Sequence, residues 1–280
     1  MQDISKFFIY TRGRTGSTAV IDEINKHPDI TCWQELFIAL SSDAMMESFY
    51  QRHGVRFSDY EIKMHWRPTF ELWSRQFRKV HMLNSVFYLE NRMPRTSAGM
   101  VRRYLEETSQ IELEMRKKAV GFKLLQNQAD VARGFFRILK ESGYKAIYLE
   151  RVNVVKRVIS GIIANRRKTY NAKNYQSSDD VYTIDMAEFK SLVDIEINAV
   201  NMEKRMLEKN GFEILYVTYE EFLEDRKGFY TQIFDFIGVD NVLPDETEFS
   251  IMIPSVSDVV ENYEELKECV KAMGYERMLA

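Results

Sequence analysis

Cysteine is nearly absent: Cys32 and Cys269 are the only two in 280 residues and stand far apart. Such a pair builds neither a disulfide framework nor a thiolate metal site, and it suits a reducing compartment. The four histidines, His27, His53, His65 and His81, show no metal-ligand spacing either. No apolar run approaches the roughly 20 residues that a membrane-spanning helix needs. The apolar stretch before Arg12 is too short for the core of a secretory signal, so a soluble cytoplasmic protein is expected. Neither charge is in large excess, with 39 Lys and Arg against 42 Asp and Glu and a net charge of −3. That balance argues against a general nucleic-acid binder, though it leaves local basic clefts open. Internal repeats and low-complexity linkers are also missing. What is present is an ordinary 45% of hydrophobic residues, enough for a sizeable core.

The apolar segments alternate in kind. Residues 6–11 read as a buried strand, 17–26 as a helix ending before His27-Pro28, and 30–33 as a short second strand. Strands follow at 119–126, 144–150 and 212–219. Helices are predicted at 128–142, closed by Gly143, and at 153–168, 184–210, 227–237 and roughly 258–273. Strands alternating with helices predict a three-layer α/β fold around a central, mostly parallel sheet. Between about residues 38 and 118 the chain is rich in Met, aromatic residues and Arg at helical spacing, with no clean strand. We read it as a helical insert within one domain spanning 1–280.

The segment TRGRTGST, residues 11–18, lies at the carboxyl end of the first strand and leads into a helix. Ligands of parallel α/β sheets bind at such ends. The glycines let backbone N–H groups turn toward an anion, and the helix N-terminus adds favourable potential. Arg14 supplies a fixed charge, and Ser17 and Thr18 supply hydroxyl donors. A phosphate-like group is the expected occupant; the plain alternative is a turn with a helix cap at Ser17. The pattern G-x-x-x-x-G-K-[ST] is absent, because the glycines are three apart and Gly16 stands where the lysine would be. That weakens an ATP or GTP reading.

R-T-G-S-T after a strand resembles instead the 5′-phosphosulfate loop of sulfotransferases that use 3′-phosphoadenosine 5′-phosphosulfate (PAPS), with Arg14 at the family's cationic position. Further segments resemble that family in order. HPDITCWQELF (27–37) is similar to its second segment and places Glu35 at the proposed catalytic base of the bacterial carbohydrate-type branch. GFKLL (121–125) resembles the strand whose lysine approaches the cofactor, here Lys123. YLERVNVVKRVIS (148–160) resembles the 3′-phosphate segment, with Arg151 and Ser160. VTYEEFLED (217–225) and SDVVENYEEL (257–266) resemble the later strand end and the C-terminal region. The resemblance implies a P-loop NTPase-like fold, PAPS as donor, adenosine 3′,5′-bisphosphate as product and no metal requirement. It implies a cofactor set of Arg12, Gly13, Arg14, Thr15, Gly16, Ser17, Thr18, Arg151, Ser160 and Tyr219, and a catalytic set of Glu35, Arg14 and Lys123.

Two departures stand out. Val152 intervenes where the family puts Asp or Asn directly after the Arg, so Arg151 and Ser160 are nine apart rather than eight. The cationic, glycine-containing C-terminal loop of some branches is missing, since FSIMIPSVSD carries no Lys, Arg or Gly.

Charge gives a separate indication. From Arg151 to Ser178 the chain has seven Lys or Arg and no Asp or Glu. Asn153, Lys156, Arg157, Ser160 and Ala164 share one helix face, which is either a solvated basic face or a wall of an anion site. Asn153 is placed to cap that helix, and Lys156 or Arg157 is an alternative clamp to Arg151. Glu35 reads as a base or as a helix-start carboxylate. Lys123 reads as a charge stabiliser or as a lysine snorkelling from a strand end. Tyr219 reads as an adenine contact or a core ring, and His27 as a second candidate base or a structural residue.

The region 38–118, with His65, Trp66 and Trp73, is expected to bind the acceptor or to make a homo-oligomer contact; NRRKTYNAKNY (165–175) is a second candidate acceptor wall. A carbohydrate or small-molecule hydroxyl is the favoured acceptor, ahead of a peptide tyrosine. The rival functions are a P-loop small-molecule kinase, which needs a Walker lysine and a carboxylate for Mg²⁺, and a non-catalytic nucleotide-binding module.

Overall fold

Five short apolar strands pair side by side, all parallel, in the order β2-β3-β1-β4-β5. They are β1 (Ser5–Thr11), β2 (Ile30–Trp33), β3 (Ala119–Leu125), β4 (Tyr144–Glu150) and β5 (Ile214–Thr218). The computed structural model describes residues 4–38, 70, 73–74, 94–167, 180–249, 251, 253 and 255–279. Eight helices lie among them: α1 (Ser17–Ile24), α2 (Pro94–Glu114), α3 (Phe135–Glu141), α4 (Val154–Arg167), α5 (Met186–Lys209), α6 (Tyr219–Glu224), α7 (Arg226–Ile237) and α8 (Tyr263–Ala272). Short 3₁₀ turns occupy Gln126–Val131 and Glu276–Leu279.

β1 is buried over most of its length, as a central parallel strand must be when helices cover both faces. Its side chains alternate between two cores. Phe8 and Tyr10 enter one with Phe122, Tyr148, Tyr104 and Phe212. Phe7 and Ile9 enter the other with Val20, Ile147, Val217 and Phe234. Burying each such side chain contributes about 1.5–3 kcal/mol. A third core joins α4, α5 and α8 through Val155, Ile159, Val193 and Leu266.

The register places the site. Thr11 pairs with both Leu125 and Leu149, so β1, β3 and β4 end level and their loops leave from one edge. No helix among the described residues is long and apolar enough to cross a membrane.

Three elements differ from the sequence reading. The helix predicted over 128–142 is broken: Ala132 is extended at φ −152°, and α3 starts only after Gly134 in the left-handed region at φ 73°. The strand predicted to Tyr219 stops at Thr218, which caps α6. Thr218 Oγ1 accepts from the Glu221 N–H at 3.1 Å, and the Glu221 carboxylate accepts from the Thr218 N–H at 2.7 Å. That T-x-x-E capping box ends the strand one residue early. The last helix begins at Tyr263 rather than near 258.

Of the expected 38–118 insert, residues 39–69, 71–72 and 75–93 lie outside the described residues, His53, His65, Trp66 and His81 among them, as do residues 168–175 of the second candidate acceptor wall. The described part belongs to the main core. Val101, Tyr104 and Leu105 of α2 pack there with Trp73, whose indole donates to Glu107 at 2.8 Å.

Candidate active site

The loop after β1 is folded by its own hydroxyls. Thr11 Oγ1 donates to the Leu149 carbonyl at 2.8 Å and lies 2.6 Å from Thr15 Oγ1. Thr15 is therefore a buried internal brace. Arg14 at φ 68° and Gly16 at φ 71° are both left-handed and bend the chain into α1. Two arginines grip the loop from outside. Arg157 Nε donates to the Gly13 carbonyl at 3.1 Å, and Arg151 Nη1 donates to the Arg14 carbonyl at 3.3 Å. Gly16 occupies the cap position of α1 and contributes no side-chain cap, so the alternative cap at Ser17 is not formed. A side chain at Gly16 would collide with the ring of Tyr219. The ring of Tyr219 thus rests on the loop, with the Arg151 guanidinium 5.2 Å from its centroid.

A cavity of about 540 Å³ opens here. Gly13, Arg14, Gly16, Ser17 and Thr18 form one wall. Arg151, Ser160 and Tyr219 form a second, and Glu35 and Lys123 a third. Arg14 Nε donates to Ser160 Oγ at 3.0 Å, joining the loop to the second turn of α4. The irregular spacing around Val152 is absorbed at the surface. Val152 is half exposed, and its N–H and that of Asn153 both donate to Glu220 at 3.0 Å. Asn153 Oδ1 accepts from the Lys156 N–H at 2.9 Å, capping α4 as its position suggested. The face of α4 carrying Arg157 and Ser160 is buried against the loop, so a solvated basic face is excluded for those two residues.

Glu35 and Lys123 form an ion pair at 2.8 Å, with both side chains about 4% exposed. The second carboxylate oxygen of Glu35 accepts from Gln128 Nε2 at 2.7 Å. Lys123 therefore does not snorkel to solvent. Burial holds the Arg151 guanidinium below its ordinary range, while Tyr219 and Glu220 act in the other direction. Burial likewise raises the Tyr219 phenol. The far wall of the cavity is Phe222, Leu223, Phe249 and Ile253 with the pair Glu23–Arg226, 2.7 Å apart. Glu23 also accepts from the Thr247 N–H at 2.8 Å, fixing that wall to α1.

Arg12, expected on the cofactor, is directed elsewhere. It pairs with Glu196 at 2.6 Å and with Glu203, both on α5, and does not line the cavity. Burial works against its charge, but the two carboxylates outweigh it and hold its pKa above the usual value. Arg157 pairs with the same Glu196, and Tyr148 donates to Glu203 at 2.8 Å. His27 cannot serve as a base. Its Nδ1 accepts from the Asp29 N–H at 3.1 Å, so Nε2 carries the proton and donates to the Asp240 carbonyl at 2.9 Å. Among the described residues no group of His, Cys, Asp and Glu is arranged to hold a metal ion.

The sequence reading missed Gln128 and Glu220. Glu220 had a visible signal, since it lies within the strand-end capping box Thr218–Glu221; Gln128 was hidden inside a helix that does not form.

No family model matches the chain, and no curated protein matches it in sequence. Solved structures similar to it include the sulfotransferase domain of the Synechococcus PCC 7002 olefin synthase, at 18% identity over 86% of this chain and 75% of that one, with a TM-score of 0.40. Mouse sulfotransferase SULT7A1 complexed with PAP is similar at 12% identity, over 84% of this chain and 60% of that one, with a TM-score of 0.39. A sulfotransferase from Alicyclobacillus acidocaldarius is similar at 15% identity over 97% of this chain and 91% of that one, with a TM-score of 0.45.

Proposed function

We propose that this protein is a sulfotransferase that moves a sulfuryl group from PAPS to a hydroxyl of a carbohydrate or small-molecule acceptor. The observation that carries this reading is the convergence on one cavity of an anion-type loop, the Arg14–Ser160 contact, the Arg151–Tyr219 pair and the buried Glu35–Lys123 ion pair. The donor fits that lining. It carries about four negative charges near neutral pH, and Arg14, Arg151, Lys123 and the N-terminus of α1 offer the opposite potential. The cavity volume of about 540 Å³ is that of a nucleotide-sized site.

When bound, the donor supplies the sulfuryl group and departs as adenosine 3′,5′-bisphosphate. Arg14 and the first N–H groups of α1 stabilise charge that builds on the departing phosphate oxygen. Glu35 takes the proton of the acceptor hydroxyl as its oxygen attacks sulfur in line. Lys123 pairs with Glu35 and adds positive charge beside the transferring group. Arg151 and Ser160 clamp the 3′-phosphate, and Tyr219 offers its ring to the adenine. Catalysis of this kind rests on positioning and charge stabilisation more than on covalent chemistry.

A thermal-shift panel tests the reading. Adenosine 3′,5′-bisphosphate without metal is expected to stabilise the protein, and ATP–Mg²⁺ and GTP–Mg²⁺ are not. In calorimetry, AMP is expected to bind at least roughly tenfold more weakly, because charge-assisted phosphate contacts are lost. Equal affinity for AMP, or selective stabilisation by ATP–Mg²⁺, rejects it.

A further inference from the structure

Gln128 belongs to the 3₁₀ turn that follows β3, is only 4% exposed, and does not line the cavity. Its carboxamide is nevertheless fixed at both ends. Nε2 donates to Glu35 Oε2 at 2.7 Å, and Oε1 accepts from the Leu125 N–H at 3.3 Å. The two neighbours leave no choice of orientation, because a carboxylate needs a donor and a backbone N–H needs an acceptor. Leu125 is the last residue of β3, so the amide ties the Glu35 carboxylate to the same strand that carries Lys123.

This arrangement has a chemical consequence. A carboxylate has about four lone-pair sites. Lys123 occupies one on Oε1 and Gln128 one on Oε2, which leaves acceptor capacity on each oxygen for a hydroxyl in the cavity. With Lys123 alone the carboxylate could turn about its terminal bond; the second tie sets its plane. Lys123 from β3 is in direct contact with Glu35, and Arg14, Arg151, Glu23, Glu224, Arg226 and Glu246 are the other charged residues that line the same cavity.

We propose that Gln128 is a positioning residue, which orients the Glu35 carboxylate against Lys123 for proton transfer. The proposal rests on the reading of Glu35 as the base, and the test separates the two. Gln128→Met removes the donor at nearly constant volume. Gln128→Glu keeps an acceptor for the Leu125 N–H but sets two carboxylates against each other.

The Glu35 carboxyl is followed by ¹³C-detected titration and assigned from the Glu35→Gln spectrum. Its midpoint is expected to rise by about one pH unit in Gln128→Met, since a hydrogen bond to a charged group is worth roughly tenfold or more. In Gln128→Glu the two carboxylates are expected to titrate as a coupled pair, with the later step higher still. The acid limb of adenosine 3′,5′-bisphosphate release from PAPS is expected to move in the same direction, with affinity for the bisphosphate unchanged. If the methionine variant does not fold, the glutamate variant alone decides. An unmoved midpoint and acid limb in the folded variants overturns the role of Gln128, even if Glu35→Gln abolishes turnover. A wild-type rate in Glu35→Gln overturns the base reading instead, whereas the titration still reports whether Gln128 controls the carboxylate.

Discussion

On the β3 side of β1, Glu35 sits between Lys123 and Gln128; on the β4 side, Glu196 and Glu203 sit among Arg12, Arg157 and Tyr148. The first set is buried and the second nearly so, and both consist of carboxylates held by cations and neutral donors. They differ in where the remaining capacity points. The α5 carboxylates are enclosed by two guanidiniums and a phenol, which closes the network upon itself. Glu35 and Lys123 form part of the wall of a cavity of about 540 Å³. A closed network holds a loop in place, whereas an open pair can exchange a proton with something that enters. Arg12 and Arg14, two residues apart, divide between these jobs, the first turned to α5 and the second to Ser160.

The largest expected effect lies on the open pair. Glu35→Gln keeps the size of the side chain and most of its hydrogen bonding but cannot accept a proton. Turnover is expected to fall by roughly 10²–10⁴, while affinity for adenosine 3′,5′-bisphosphate stays nearly constant. Single-turnover rates and calorimetry on the same sample check this. A matching loss of nucleotide affinity would make Glu35 part of the binding wall and erase the distinction drawn above.

On the closed network the effect should fall on stability instead. Arg12→Met removes one cation from two nearly buried carboxylates, and breaking such a pair costs about 3–5 kcal/mol. Urea unfolding is expected to show that loss, with the folded fraction still binding the bisphosphate. Arg14→Ala should give the reverse pattern, with stability nearly retained and both binding and rate damaged. An Arg12→Met protein of wild-type stability that no longer binds nucleotide would interchange the two arginines' roles.

How far the sequence foretold these two sets follows from which contacts are local. The parallel sheet was legible because alternating strands and helices permit few other arrangements, and the loop was legible because TRGRTGST carries its turn residues in order. Arg12 was misplaced for a physical reason. Nothing local distinguishes it from Arg14, and its partners Glu196 and Glu203 lie about 190 positions away on a helix whose facing edge emerges only after packing. Gln128 was missed because apolar periodicity over 128–142 outweighed the signal of Gly134, a left-handed residue that starts α3 afresh. The burial of Ser160 and Arg157 was equally illegible, since a polar helix face reads alike whether it meets solvent or a loop.

Smaller effects sharpen the anion side of the comparison. Ser160→Ala and Arg151→Ala are each expected to weaken binding of the bisphosphate by roughly tenfold, the value of one charge-assisted hydrogen bond. Arg157→Ala should act differently, because its guanidinium reaches the Gly13 carbonyl and Glu196 rather than the cavity. It should destabilise the protein and weaken AMP and the bisphosphate alike, whereas loss of Ser160 or Arg151 should reduce the preference for the 3′-phosphate. Calorimetry with both nucleotides on the three variants tells these apart. An unchanged preference in Arg151→Ala, with that preference lost in Arg157→Ala, would transfer the clamp to Arg157.

The smallest expected effect concerns the extra residue at Val152. Val152 is half exposed, and Glu220 accepts from the N–H groups of both Val152 and Asn153, which links β4 to α4 through α6. Glu220 also follows Tyr219 directly, so the residue that stacks on Arg151 and the residue that accepts from the Val152 and Asn153 N–H groups are neighbours on α6. Glu220→Ala removes two hydrogen bonds and a negative charge near a helix N-terminus, a loss of about 1 kcal/mol in stability. Glu220→Gln keeps an acceptor and should lose only part of that. Binding offers the finer discrimination. Glu220 opposes the burial that lowers the Arg151 pKa, so it supports the charged guanidinium, yet it also repels an incoming anion. If position matters more than field, the bisphosphate should bind slightly more weakly to Glu220→Ala and at wild-type strength to Glu220→Gln. If field matters more, both variants should bind it more tightly, with the difference fading as salt is raised. Titrations of the two variants at low and high ionic strength decide between these outcomes, and tighter, salt-sensitive binding in both would show that the α6 contact serves the fold of α4 rather than the placement of Arg151.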